Sequence, residues 1–416
     1  MTISLEMDRT VNAYTHRTRW AVVAAAGALA AALTVGAGAP ALAATPATPS
    51  AGASASASAS ALPPLDPAAV RAALAKRPAA DVSAAFVRVT GSSGRFEGTS
   101  AEDGTDVDPQ GRFRVGSISK VFTATVVLQL AAEGRIDLDA TVQQYLPDFP
   151  YASVKVGQLL NHTSGLPGGS NAPWGDGTTT WFEAHRFDSF TPEQVLATMA
   201  GQPLGFQPGA AQQYNGMNTF VAGLIVEKVT GNSYADELRE RIIRPLGLHD
   251  TSLPDADDPE LRHPATHPYL TVPDADGGSH RVDVTEQSPW PWAEGGMISS
   301  APDLDRFMTA LFRGRLLPSA EQEKLFTVPD VLVADHSSHC PGGKACMSMG
   351  LERLEANGVV AWGKTGSRPG YTSGVFATRD LARKVVYSVD PTALNGAETP
   401  YALGLLVTAF GLGAKS

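Results

Sequence analysis

The chain has 416 residues, of which 43% are hydrophobic and 18% charged, an ordinary globular composition rather than a disordered, collagen-like or polytopic membrane one. Its 42 acidic residues outnumber 32 basic ones, giving a formal charge of −10, so no global basic field exists to hold nucleic acid or an anionic membrane surface. Two cysteines exclude a disulfide-rich miniprotein.

At the N-terminus, Arg9, Arg17 and Arg19 precede an uncharged, alanine-rich run from Trp20 to Val35, and Ala41-Leu42-Ala43 closes a small-residue stretch. This is the layout of a secretory signal, so residues 1–43 are expected to be a signal peptide cleaved after Ala43. The run is shorter than the ~20 residues a membrane span needs, and no stable span is expected after cleavage. Residues 44–65 are almost wholly Ala, Ser, Thr, Pro and Gly. With few large apolar groups to offset ordering entropy, they read as a linker.

The remaining chain, 66–416, carries the fold. Its composition predicts a helix from Pro67 to about Lys76, a strand over Ala85–Val89 and a hairpin turn at Gly91–Gly94. From Ser117 to Glu133 apolar residues crowd every face of a helical repeat, with Gly134 as the stop, which predicts a buried helix. Between about 140 and 310 the signals are helical and broken by long loops, with helices expected at Thr191–Met199, Met217–Val229 and Ala301–Leu311. Strands return at Gly358–Trp362, Thr372–Ala377 and Lys384–Val389, and an apolar helix follows from Tyr401 to Leu412. The pattern predicts an α/β fold, a sheet flanked by helices with an all-helical subdomain inserted at about 140–310, and a cleft between them.

Three short motifs carry chemistry. Ser117-Ile118-Ser119-Lys120 opens the buried helix, and the i, i+3 spacing puts hydroxyl and amine on one face, where the amine reaches the hydroxyl. A lysine buried there is costly without a role. Bringing it from an ordinary pKa near 10.4 to neutrality near pH 7 requires about 4.6 kcal/mol, which burial and a neighbouring cation supply. Trp362-Gly363-Lys364-Thr365-Gly366-Ser367 lies on a late strand, offering cationic and hydroxyl donors beside glycines that allow close backbone approach. Tyr214, just before a helix, is a phenol able to relay protons between two lysines.

Taken together with Leu159-Leu160-Asn161-His162-Thr163-Ser164-Gly165-Leu166, Pro245-Leu246-Gly247-Leu248 and Gly295-Gly296-Met297-Ile298-Ser299, these motifs resemble the serine β-lactamase and D-alanyl-D-alanine carboxypeptidase family, over nearly everything from 66 to 416. The resemblance implies a β-lactamase/transpeptidase-like fold with an antiparallel sheet. It makes Ser117 the acylated nucleophile, Lys120 its base and Tyr214 the proton relay, with Lys364, Thr365 and Gly366 on the carboxylate side of the substrate. The oxyanion hole falls to the backbone N–H groups of Ser117 and Ser367. Trp292 stands where an aromatic lines the cleft rim, a core or loop tryptophan being the competing reading.

Two departures bear on specificity. Where the family has Tyr-x-Asn, this chain has Tyr214-Asn215-Gly216, so the side-chain amide at the third position is missing and Asn215 or Asn218 stands in for it. Lys364 stands where the related carboxypeptidases often carry His. No Gly-x-Ser-x-Gly elbow is present, which disfavours an α/β-hydrolase.

The resemblance implies a secreted, cell-wall-associated D-alanyl-D-alanine carboxypeptidase. Its partner is a peptidoglycan peptide or small acyl substrate, with β-lactams as inhibitors. The alternatives are a carboxylesterase or β-lactamase on the same scaffold, and a non-catalytic penicillin-binding module. This chemistry needs no metal or organic cofactor. Cys340 and Cys346 could serve zinc together with His336 and His339, but in an exported chain a local disulfide is the favoured reading.

Overall fold

A computed structural model describes residues 62–168, 175–334, 340 and 342–412. The expected signal peptide, most of the expected linker, His336 and His339 lie outside the described residues.

Six strands form one antiparallel sheet: β1 (Val82–Thr90), β2 (Phe96–Ala101), β3 (Glu352–Ala356), β4 (Val359–Arg368), β5 (Tyr371–Ala377) and β6 (Lys384–Pro391), in the order β2-β1-β6-β5-β4-β3. Alternation along β1 and β6 divides the core. Val87, Val89, Val385, Tyr387 and Val389 face one side, where α1 (Pro67–Ala75) packs against the C-terminal α5 (Thr399–Ala409), burying Val70, Leu74, Ala402, Leu405 and Leu406. Phe86, Val375 and Val386 face the other, larger core built on α2 (Ser119–Ala132), α3 (Gly216–Thr230) and α4 (Ala301–Phe312). The first strand, β1, thus pairs directly with the last, β6, and the helices that flank them in sequence, α1 and α5, cover the same face.

The buried helix predicted from Ser117 divides into a 3₁₀ turn, Gly116–Ile118, followed by α2. Apolar residues all round leave α2 no solvent face, and eleven of its fourteen residues are buried. The middle of the chain is mostly helices and long loops as expected, but it also contains a hairpin, Tyr269–Pro273 against Ser279–Asp283, and a ribbon in which Arg112–Arg114 pairs with Ile298–Ser300. The subdomain is thus not all-helical. The hairpin's second strand is exposed along nearly its whole length, so it lacks the apolar alternation by which strands are read. Among the described residues no helix is long and apolar enough to cross a membrane.

Candidate active site

The turn that presents Ser117 is fixed by backbone contacts no side chain could enter. Gly116 has φ +53°, and a Cβ there would lie 2.5 Å from the Ser367 carbonyl oxygen. A Cβ on Gly366 would lie 2.0 Å from the Val115 carbonyl oxygen. The turn before α2 thus lies directly against β4, bringing the main chains of Ser117 and Ser367 together as an oxyanion hole requires. Val115 N–H donates to the Met297 carbonyl at 3.1 Å, and the Ser119 hydroxyl donates to the Gly116 carbonyl at 2.7 Å while accepting from Met297 N–H at 3.2 Å.

Three side chains predicted from sequence meet at this turn. Lys120 Nζ lies 3.0 Å from Ser117 Oγ, and the Tyr214 hydroxyl donates to the same oxygen at 2.7 Å. Tyr214 is flanked by both lysines, with Lys120 Nζ 5.3 Å and Lys364 Nζ 4.7 Å from its ring centre. Burial pushes the Tyr214 phenol up to about 12, partly offset by Lys364 and the Ser117 hydrogen bond, so it is a proton donor at neutral pH. Burial likewise lowers the Lys120 pKa below the ordinary lysine value, and the Glu294 carboxylate pulls against it. Lys120 is 3% exposed. Its other contacts are the Glu294 carbonyl, accepting at 2.7 Å, and the Glu294 carboxylate at 3.7 Å.

Lys364 is held differently. Its Nζ donates to Glu352 Oε1 at 2.5 Å, both side chains being almost completely buried, and the Thr365 hydroxyl donates to Glu352 Oε2 at 3.3 Å. Sequence reasoning assigned Lys364 and Thr365 to a substrate carboxylate; the structure places a protein carboxylate on both. Lys120, His162, Glu352 and Lys364 line one small cavity.

The asparagines expected to replace the missing amide do not face the nucleophile. Asn215 caps α3: its side-chain oxygen accepts from Met217 N–H at 2.9 Å and its amide donates to the Leu166 and Pro167 carbonyls. Asn218 is fully buried between Ser164, which donates to its oxygen at 2.5 Å, and His162 Nδ1 at 3.1 Å from its nitrogen. Since His162 Nδ1 also accepts from Asn215 N–H at 3.3 Å, a neutral ring carries its proton on Nε2. The ring packs against Tyr214 with 4.8 Å between centres. His162 thereby positions the phenol, a role within the quoted Asn-His-Thr-Ser-Gly motif that sequence reasoning left unassigned.

Trp292 is partly buried and packs against the core. Its ring sits edge-on to Phe220 and Tyr234, with centres 5.1 and 5.2 Å away. It anchors the turn that carries Glu294, which is pinned to α2 a second time by the Thr123 hydroxyl donating to the Ala293 carbonyl at 3.0 Å.

Glu294 and Glu352 were not singled out in the sequence. Glu294 occupies the space over Gly216, where a Cβ would lie 1.8 Å from its Oε1. The absent asparagine is therefore matched by a carboxylate arriving from another loop, and Gly216 was the sequence signal for it.

Cys340 and Cys346 form a disulfide with Cα atoms 5.4 Å apart, which removes the thiolates a zinc site would use. Gln212, two residues before Tyr214, accepts from Cys346 N–H at 2.9 Å and Met347 N–H at 3.1 Å, joining the disulfide loop to the Tyr214 segment.

Residues 68–413 match the β-lactamase family. Curated relatives include penicillin-binding protein 4 of Amycolatopsis lactamdurans, 32% identical over 49% of this chain and 51% of its own length. Esterase EstB of Burkholderia gladioli is 29% identical over 48% of this chain and 56% of its own. The chain spans about half the length of these relatives. Among solved structures, a D-stereospecific amidohydrolase from Streptomyces sp. superimposes with a TM-score of 0.71 at 33% identity, covering 84% of this chain and all of the other. The D-amino acid amidase of Ochrobactrum anthropi SV3 has the same fold at 23% identity and a TM-score of 0.67.

Proposed function

This chain belongs to the β-lactamase family, whose members among its relatives are serine hydrolases, and we propose that it cleaves small amides and esters through an acyl-enzyme on Ser117. The observation that carries this reading is the pair of short contacts on Ser117 Oγ, from Lys120 at 3.0 Å and Tyr214 at 2.7 Å. Neutral Lys120 keeps two protons, one for the Glu294 carbonyl, and turns its lone pair to the Ser117 hydroxyl. As Oγ attacks the substrate carbonyl, that proton passes to Nζ, and the developing oxyanion is received by the main-chain N–H groups of Ser117 and Ser367. Tyr214, protonated at neutral pH, delivers a proton to the leaving nitrogen or oxygen and is reprotonated from Lys120. Water then repeats the sequence on the ester.

Amide cleavage is supported by the likeness to the Streptomyces amidohydrolase, and ester cleavage by that to EstB. The second reading, the D-alanyl-D-alanine carboxypeptidase of a cell-wall peptide, is favoured by the likeness to penicillin-binding relatives. It needs a cation free for the substrate carboxylate, and Glu352 already holds Lys364. Secretion through residues 1–43 and inhibition by β-lactams belong to the same proposal.

Turnover of D-alaninamide, p-nitrophenyl acetate and a D-alanyl-D-alanine-terminated peptide tests the choice. The proposal expects the first two to be hydrolysed and lost in Ser117→Ala. Release of D-alanine from the peptide at a higher kcat/KM than amide cleavage would establish the carboxypeptidase instead.

A further inference from the structure

We infer that Glu294, in the space left by Gly216, is a recognition site for an ammonium group on the acyl side of the substrate, so that the preferred donors are amino acid amides or esters with a free α-amine. The inference rests on the acyl-enzyme reading above.

The argument begins with volume. A Cβ on residue 216 would sit 1.8 Å from Glu294 Oε1 and 2.1 Å from its carboxyl carbon, so the carboxylate and a side chain at 216 exclude each other. An amide at this position would grip the carbonyl of an N-acylated substrate, whereas a carboxylate repels that carbonyl and attracts a cation.

The reach is right. Two contacts in series, 3.0 Å from Ser117 Oγ to Lys120 Nζ and 3.7 Å from there to Glu294 Oε1, put the carboxylate within about 7 Å of the nucleophile. An α-ammonium stands ~2.5 Å from its own carbonyl carbon. With that carbon on Ser117 Oγ, one further hydrogen bond closes the gap. The Glu294 side chain is 29% exposed, so the carboxylate is open to an incoming group.

Charge points the same way. The only ion-pair contact of Glu294 among the described residues is Lys120, which is uncharged when it acts as base. Of the other cations near the site, Lys364 is paired with Glu352. Arg368 donates to the Gln287 side chain at 2.8 Å and the Ser288 carbonyl at 2.9 Å. In the reactive state no cation stands within ion-pair distance of the carboxylate among the described residues, Arg368 acting on it only from farther away, and a substrate ammonium supplies one.

The test uses competition, so it does not depend on which amide turns over. Inhibition constants of D-phenylalaninamide and N-acetyl-D-phenylalaninamide are measured against p-nitrophenyl acetate turnover at pH 7, with wild type, Glu294→Gln and Gly216→Asn. The wild type is expected to favour the free amine by about tenfold or more, and the preference should fade as pH rises past the amine pKa of about 8. Glu294→Gln should bring the ratio near one, and Gly216→Asn, which expels the carboxylate, should reverse it. Any change transmitted through Lys120 affects both ligands alike and cancels. A wild-type ratio near one, or a ratio unchanged in Glu294→Gln, overturns the inference while leaving the acyl-enzyme standing. Ester turnover that survives Ser117→Ala overturns the acyl-enzyme reading itself, and this inference with it.

Discussion

Two buried lysines face Tyr214 from opposite ends of the motif set, and they are held in different ways. Lys364 lies in a close, almost fully buried ion pair with Glu352 at 2.5 Å, while the nearest carboxylate to Lys120 stands off at 3.7 Å. Burial without a tight counter-charge lowers a lysine's pKa, and burial with one keeps the cation. The same residue type in one site therefore has its pKa lowered in one place and is locked in a buried ion pair in the other. What decides is a carboxylate about an ångström nearer.

Replacing the base should have the largest effect. Lys120→Ala should lower kcat for ester and amide by about 10³-fold or more, and the double variant with Ser117→Ala should be no worse than either alone, because the two act as a unit. Steady-state kinetics check both statements; additive losses would break the idea that one lysine does this work.

Removing the partner of the other lysine should act on stability first. Glu352→Ala strands a buried ammonium and should cost about 3–5 kcal/mol in denaturant unfolding. Glu352→Gln, which keeps the shape, should gain affinity for carboxylate-terminated peptides because Lys364 is released to bind them. No gain would mean that Lys364 is structural alone.

Asp390 extends the rule beyond the site. It is an acid buried on β6, with one oxygen lacking any hydrogen-bond partner, and burial raises its pKa to about 7 against an opposing Thr266 hydroxyl. Its folded pKa is above its unfolded one, so the folded state binds the extra proton and stability falls as pH rises from about 4 through 7. Asp390→Asn should be more stable than wild type by about 2–4 kcal/mol at pH 8 and equal to it at pH 4. Thermal unfolding across that range measures it.

The smallest effect sharpens the comparison most. Glu294 pulls the Lys120 pKa upward, so Glu294→Gln should move the acidic limb of the kcat/KM profile for an uncharged ester to lower pH. A limb that does not move would mean that Lys120 does not set it.

Much of this was legible in the sequence because it is local. Ser117 and Lys120 are one helical turn apart, Lys364 to Ser367 is a continuous strand, and the helices around 217–229 and 301–311 announce themselves by apolar content and caps. Each matched expectation depends on neighbours within a few positions. The contacts of Glu294 and Glu352 are not legible in this way. Glu294 reaches Lys120 across 174 positions, on a turn seated by the packing of Trp292 against Phe220 and Tyr234. Glu352 is near Lys364 in sequence but lies on a short strand at the sheet edge, Glu-Arg-Leu-Glu-Ala, whose charges read as a solvated surface until the register sets Glu352 opposite Gly363. Asn215 was assigned to the cleft by position in a motif, whereas its side chain caps α3; Trp292, read either as a rim aromatic or as a core or loop tryptophan, packs on Phe220 and Tyr234.

The most direct test of the central claim is the intact mass of the protein, acid-quenched during turnover of p-nitrophenyl acetate, with peptide mapping, for wild type and Ser117→Ala. The account predicts a single acetyl adduct of +42 Da on Ser117 that is absent from the variant. An adduct on another residue, or turnover undiminished in Ser117→Ala, would contradict it.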